Sequence, residues 1–130
     1  MTAKWPRVMR DMEYTYYADL LREFELPDRG ILSRVLHKDE RLNITAFGFS
    51  PGEELSTHSA PTPAVLFFLE GEGVVQLGED SQPIRAGSFV FMQPNLPHGI
   101  RATSGLRMLL VQIKLPLAKP NGSQRFGEAE

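Results

Sequence analysis

The feature that most limits how this chain can fold is its punctuation. Turn-forming marks such as Ser50-Pro51-Gly52, Glu70-Gly71-Glu72-Gly73, Leu77-Gly78-Glu79-Asp80, Arg85-Ala86-Gly87 and Gln93-Pro94-Asn95 break the middle of the chain, and from Gly71 onward they recur about every eight to ten residues. Such spacing excludes long helices and suits an antiparallel sandwich or barrel. The 10 prolines and 11 glycines are spread along the chain instead of pooled, so they delimit elements and do not build a linker.

Between the marks, short runs rich in β-branched, aromatic and leucine residues predict strands over 31–37, 42–49, 64–70, 74–77, 88–92 and 107–115. One helix is expected, over 16–24, where Tyr17, Leu20, Leu21 and Phe24 recur at spacings of three and four; it would pack on the outside of a sheet. In 107–115, Leu109, Val111, Ile113 and Leu115 alternate with Met108, Leu110, Gln112 and Lys114, so one face is apolar and the other turns polar toward its end. In 64–70, Ala64, Leu66 and Phe68 share the interior face, while Phe67 and Leu69 face away. Both faces are apolar, which calls for a cover on each side: the core on one, and a sheet, the N-terminal helix or another subunit on the other. The expected division is an N-terminal segment (1–29), a barrel (30–116) and a flexible tail (117–130) containing Lys119-Pro120-Asn121-Gly122-Ser123.

A chain of 130 residues, 42% of them hydrophobic, builds one ordinary core. Its 14 lysines and arginines against 16 aspartates and glutamates leave a net charge of −2, which argues against a nucleic-acid partner. With no cysteine there is no disulfide scaffold and no thiolate zinc site, so any metal must be held through His37, His58 or His98. The longest apolar run, 64–69, is too short to cross a bilayer, and no signal-peptide pattern opens the chain; a soluble, cytoplasmic protein with no membrane partner is expected.

Two segments, 52–73 (GEELSTHSAPTPAVLFFLEGEG) and 87–98 (GSFVFMQPNLPH), together resemble the two motifs of the cupin family. In the first motif, Gly52, His58 and Gly71 fall at the family's spacing; in the second, Gly87 and His98 do. Ala60 stands where the family has a second histidine, Ala64 where it has a glutamate, Gln93 and Asn95 replace a proline and a glycine, and Ala102 replaces an asparagine. The resemblance implies an all-β fold, a double-stranded β-helix or jelly-roll-like barrel. It also implies a divalent transition metal (iron, manganese, nickel or zinc) held by histidines and a glutamate, of which only His58 and His98 carry over. Homodimers, common among small cupins, are a further implication.

The residues have a meaning of their own. In an extended strand His58 and position 60 look inward about 6.6 Å apart, close enough for two imidazoles to share an ion; Ala60 removes that partnership. Alanines at 64 and 102 extend the change, so the mouth should be drier and less charged. Catalytic zinc sites use three protein ligands, and non-haem iron sites two histidines and a carboxylate, so a third ligand is needed. Glu54 shares strand parity with His58 but lies about 13 Å away; Gln93 offers only a weak amide oxygen. His37, beside Lys38-Asp39-Glu40-Arg41, reads as a surface histidine, Glu70 and Glu72 as solvated turn carboxylates, and Tyr14, Tyr16 and Tyr17 as packing residues.

Three functions follow. The first is a metal-dependent enzyme, a dioxygenase or isomerase, built on His58 and His98 with Gln93 or water. The second, which we favour, binds a small, partly apolar molecule against His58, His98, Gln93, Leu66, Phe68, Ala60, Ala64 and Ala102, with the histidines as polar anchors. The third is metal-free acid–base catalysis of the sugar-epimerase kind, which the lack of a tyrosine in the barrel motifs disfavours.

Overall fold

Between residues 13 and 114, the span that the computed structural model describes, the chain runs through nine strands: β1 (Ile31–Lys38), β2 (Leu42–Phe49), β3 (Glu54–His58), β4 (Ala64–Glu70), β5 (Glu72–Leu77), β6 (Asp80–Arg85), β7 (Phe89–Met92), β8 (His98–Ala102) and β9 (Leu106–Ile113). They form a five-stranded sheet, ordered β1-β2-β9-β4-β7, and a four-stranded sheet, ordered β3-β8-β5-β6, paired antiparallel throughout. The expected all-β, cupin-like barrel is the fold observed. Phe49, Leu66, Phe68, Met92, Leu106 and Met108 from the first sheet meet Val75, Ile84 and Ile100 from the second in one buried core.

β6 and β8 escape prediction, and β3 is read only through the strand parity of Glu54 and His58, because their side chains advertise little. β3 and β6 are the edges of the four-stranded sheet and are polar on most positions; β8 carries Gly99 and Arg101. Backbone pairing, not apolar alternation, makes them strands. Pro83 fits in β6 because an edge strand has one side free of ladder bonds. On β9 the set that turns polar, Leu106, Met108, Leu110 and Gln112, is the one facing the barrel interior, while Leu109 packs outside against a second cluster.

The helix expected over 16–24 shrinks to one 3-10 turn, Leu20–Arg22, opened by the Asp19 carboxylate accepting from the Leu21 N–H at 3.1 Å. The segment instead lies along the outer face of the five-stranded sheet, tied down by tertiary bonds. The Tyr17 hydroxyl donates to the Leu36 carbonyl at 2.7 Å, Arg34 donates to the Glu23 carbonyl, and Arg107 donates to the Leu21 and Phe24 carbonyls at 2.7 and 2.8 Å. Phe24 is thereby buried against Leu36 and Ala46, while Tyr14 and Tyr16 stay exposed. The expected 117–130 tail lies outside the described residues. Among those residues no helix is long and apolar enough to cross a membrane.

One motif glycine has a clear physical cause. Gly71, between β4 and β5, has φ +91°, and a Cβ there would run into the Gly105 carbonyl oxygen. Only glycine relieves both constraints.

Candidate functional site

β3 and β8 bring the two motif histidines face to face. His58 pairs with His98 in the ladder, with ring centroids 4.4 Å apart and planes inclined at 53°. Just before this pair β3 bulges: β8 advances from Ile100 to His98 while β3 advances from Leu55 to His58, one residue more. Leu55 and His58 therefore both look inward, and Glu54 is turned out, opposite exposed Arg101 on an outer groove. The shared parity of Glu54 and His58 expected from a regular strand does not survive the bulge. Gly99 makes room for it, since a Cβ there would meet the Leu55 carbonyl oxygen at 3.0 Å.

The Nδ1–H of His58 donates to the Ser56 carbonyl at 3.0 Å, and that of His98 to the Leu96 carbonyl at 2.9 Å. A carbonyl only accepts, so each Nδ1 carries the hydrogen, and a ring in that neutral tautomer presents its lone pair on Nε2. His98 is buried, only 9% exposed, and His58 is open to solvent. One ring of the pair is thus sheltered and the other sits at the rim.

Both rings line a cavity of about 40 Å³, with Ala60, Thr62, Ala64, Met92, Gln93, Leu96, Leu110 and Gln112. β3 ends at His58, so Ala60 reaches the wall from a loop and not from the strand position expected; its carbonyl accepts from the Asn95 N–H at 2.6 Å, tying the β3–β4 and β7–β8 loops together. Asn95 takes a left-handed turn there, φ 68°. Of the eight residues expected around a ligand, His58, His98, Gln93, Ala60 and Ala64 converge on this wall. Leu66, Phe68 and Ala102 do not: all three are fully buried in the core, and Ala102 sits at the far end of β8, opposite Gly73. Inward parity alone could not separate mouth from core. Sequence reasoning missed Gln112, Thr62, Met92, Leu96 and Leu110; for Gln112 the signal was the face of β9 that becomes polar toward its end.

No charged side chain lines the cavity. Among the described residues no three histidine, cysteine or acidic side chains are grouped to hold a metal ion. The donors at the mouth are two imidazoles and two carboxamides, short of the three-ligand zinc set and of the two-histidine, one-carboxylate iron set, so they do not fit a tightly held catalytic metal.

The other candidates serve the scaffold. His37 bonds to the Thr15 hydroxyl through Nδ1 and to the Asp39 carboxylate through Nε2, both at 2.8 Å. The His37 ring, with the backbone N–H groups of Leu42 and Arg41, holds the Asp39 carboxyl well below the usual carboxylate range. Glu70 is not simply solvated: its Oε1 accepts from Arg107 Nε at 2.5 Å, the same arginine that pins the N-terminal segment.

The family model for the cupin domain matches residues 46–113, more than half of the chain. The chain belongs to the cupin family. Solved cupin-fold structures resemble it over most of its length. The conserved protein SPY1581 of unknown function from Streptococcus pyogenes shares 28% identity and a TM-score of 0.72 over 81% of this chain and 92% of its own. An RmlC-like cupin protein from Desulfovibrio desulfuricans shares 26% identity and a TM-score of 0.69 over 78% and 98%. The polyketide cyclase RemF from Streptomyces resistomycificus, at 20% identity and a TM-score of 0.60 over 72% and 75%, shares the fold. No curated protein matches the sequence. This cupin carries histidine at 58 and 98 and alanine at 60 and 64, where the family motif has a histidine and a glutamate, all four on the same cavity wall.

Proposed function

We propose that this cupin binds a small, partly apolar molecule whose end enters the barrel mouth, with His58 and His98 as polar anchors. The observation that carries the proposal is the paired imidazoles, 4.4 Å apart, on an uncharged wall of alanine, methionine and leucine broken only by two carboxamides and one hydroxyl. The sheltered space, about 40 Å³, suits a terminal group of the ligand, with the remainder lying outside it. Gln93 and His58, both exposed, leave the rest of the ligand in contact with the rim. A screen of small alcohols, amides and heteroaromatics by ligand-induced stabilisation tests this. Hits that vanish in both His58→Ala and His98→Ala support it, and hits indifferent to both substitutions reject it.

A second function, a metal-dependent dioxygenase or isomerase, draws support from the two Nδ1–H to carbonyl bonds, which orient imidazoles as metal sites commonly do. Metal analysis of untagged protein decides it: close to one transition metal per chain, lost in either histidine variant, favours the enzyme. Occupancy below about a tenth after soaking with iron, manganese, nickel and zinc rejects a bound metal. The proposal extends to a homodimer. Phe67, Phe89 and Phe91 are exposed on neighbouring strands β4 and β7, an apolar outer face suited to a second copy.

A further inference from the structure

We infer that the group received in the barrel mouth is a hydrogen-bond donor with two polar hydrogens, such as a primary amide or an amine, and not a carboxylate. This rests on the binding function proposed above and names the ligand class for the same site. Gln93, Gln112 and the Thr62 hydroxyl can each either donate or accept, so they suit both kinds of ligand. The imidazoles do not have that freedom. The Ser56 and Leu96 carbonyls take the Nδ1 hydrogens, at 3.0 and 2.9 Å, and both rings are left with Nε2 as an acceptor.

Centroids 4.4 Å apart bring the two rings within reach of one group with two polar hydrogens. Against the neutral rings, a carboxylate in the same place would set its oxygens against two lone pairs, with no lysine or arginine on the wall to replace its lost hydration.

Acetamide and acetate have nearly the same shape and differ in donors, so they form the test pair. Chelator-treated full-length protein is titrated with each while the His58 and His98 ring signals are followed by NMR. Acetamide should shift both signals saturably, with half-saturation at least about tenfold below that of acetate. Long-range proton–nitrogen spectra should place the hydrogen on Nδ1 in both rings. Acetate moving the same signals as readily as acetamide, or both rings protonated on Nε2 alone, would overturn the donor class while leaving the pocket standing. Neither compound moving either signal up to its solubility would overturn the pocket itself.

Discussion

β8 is five residues long and touches both ends of the barrel, which are built on opposite rules. At its Ala102 end, backbone presses on backbone: Gly73 admits the Arg101 carbonyl, Gly71 admits that of Gly105, and the Ala102 N–H and C=O bond to Glu53 and Gly52. At its His98 end, the alanines at 60 and 64 border a cavity lined by both histidines, Gln93 and Gln112. Small residues serve both ends, yet they mean different things. Where a small residue meets a carbonyl oxygen it is closure; where it sits beside an imidazole it is room. The difference shows that a family position filled by alanine has to be judged by its neighbours before it is read as a lost ligand or as packing.

The contrast makes substitutions separable. The largest effect belongs to the closed end: Gly71→Ala combines an unfavourable backbone angle with a collision at Gly105, and chemical denaturation should show a loss of about 3 kcal/mol or more. A variant of near-native stability would show that the end is not closed by contact. Next comes Arg107→Ala, which removes the Glu70 partner and the donors to Leu21 and Phe24; a loss of about 1–3 kcal/mol is expected, with faster proteolysis confined to residues 13–30. Cleavage spread evenly over the barrel would contradict a local role. At the mouth, His98→Ala should lower stability by about 1–2 kcal/mol and His58→Ala by under about 0.5 kcal/mol, yet both should abolish binding of the proposed ligand. Equal destabilisation by the two would mean that His58 is as enclosed as His98.

The smallest effect concerns Asp39, whose carboxyl is held low by His37 and two backbone N–H groups. A carboxyl depressed in the native state stabilises the protein above its unfolded value of about 4 and loses that contribution as pH falls through the native value. Asp39→Asn should therefore be slightly less stable than the parent at neutral pH and indistinguishable from it in strong acid. Urea midpoints measured along a pH series check this, and a gap that widens in acid would reverse the sign.

The barrel was legible wherever apolar side chains alternate between turns: β2 and β4 were predicted to the residue, and Leu66 and Phe68 were placed inward as found. β3, β6 and β8 were not, because their pairing is made by backbone groups that no side-chain pattern announces. The meeting of His58 with His98 followed from motif spacing, but the outward turn of Glu54 did not, since one inserted residue reverses every later side chain without leaving a mark in composition. Depth along the barrel was likewise hidden: parity shows that Ala64 and Ala102 face in, and only the register shows that one borders the mouth and the other the opposite end.

The narrowness of the mouth has a consequence for selectivity. Under the proposed binding, a socket of this size inspects the terminal functional group more closely than the length or branching of what trails over the rim. Within a homologous series sharing that tip, affinity should stay nearly flat, so the protein would sort metabolites by their head group and not by their size.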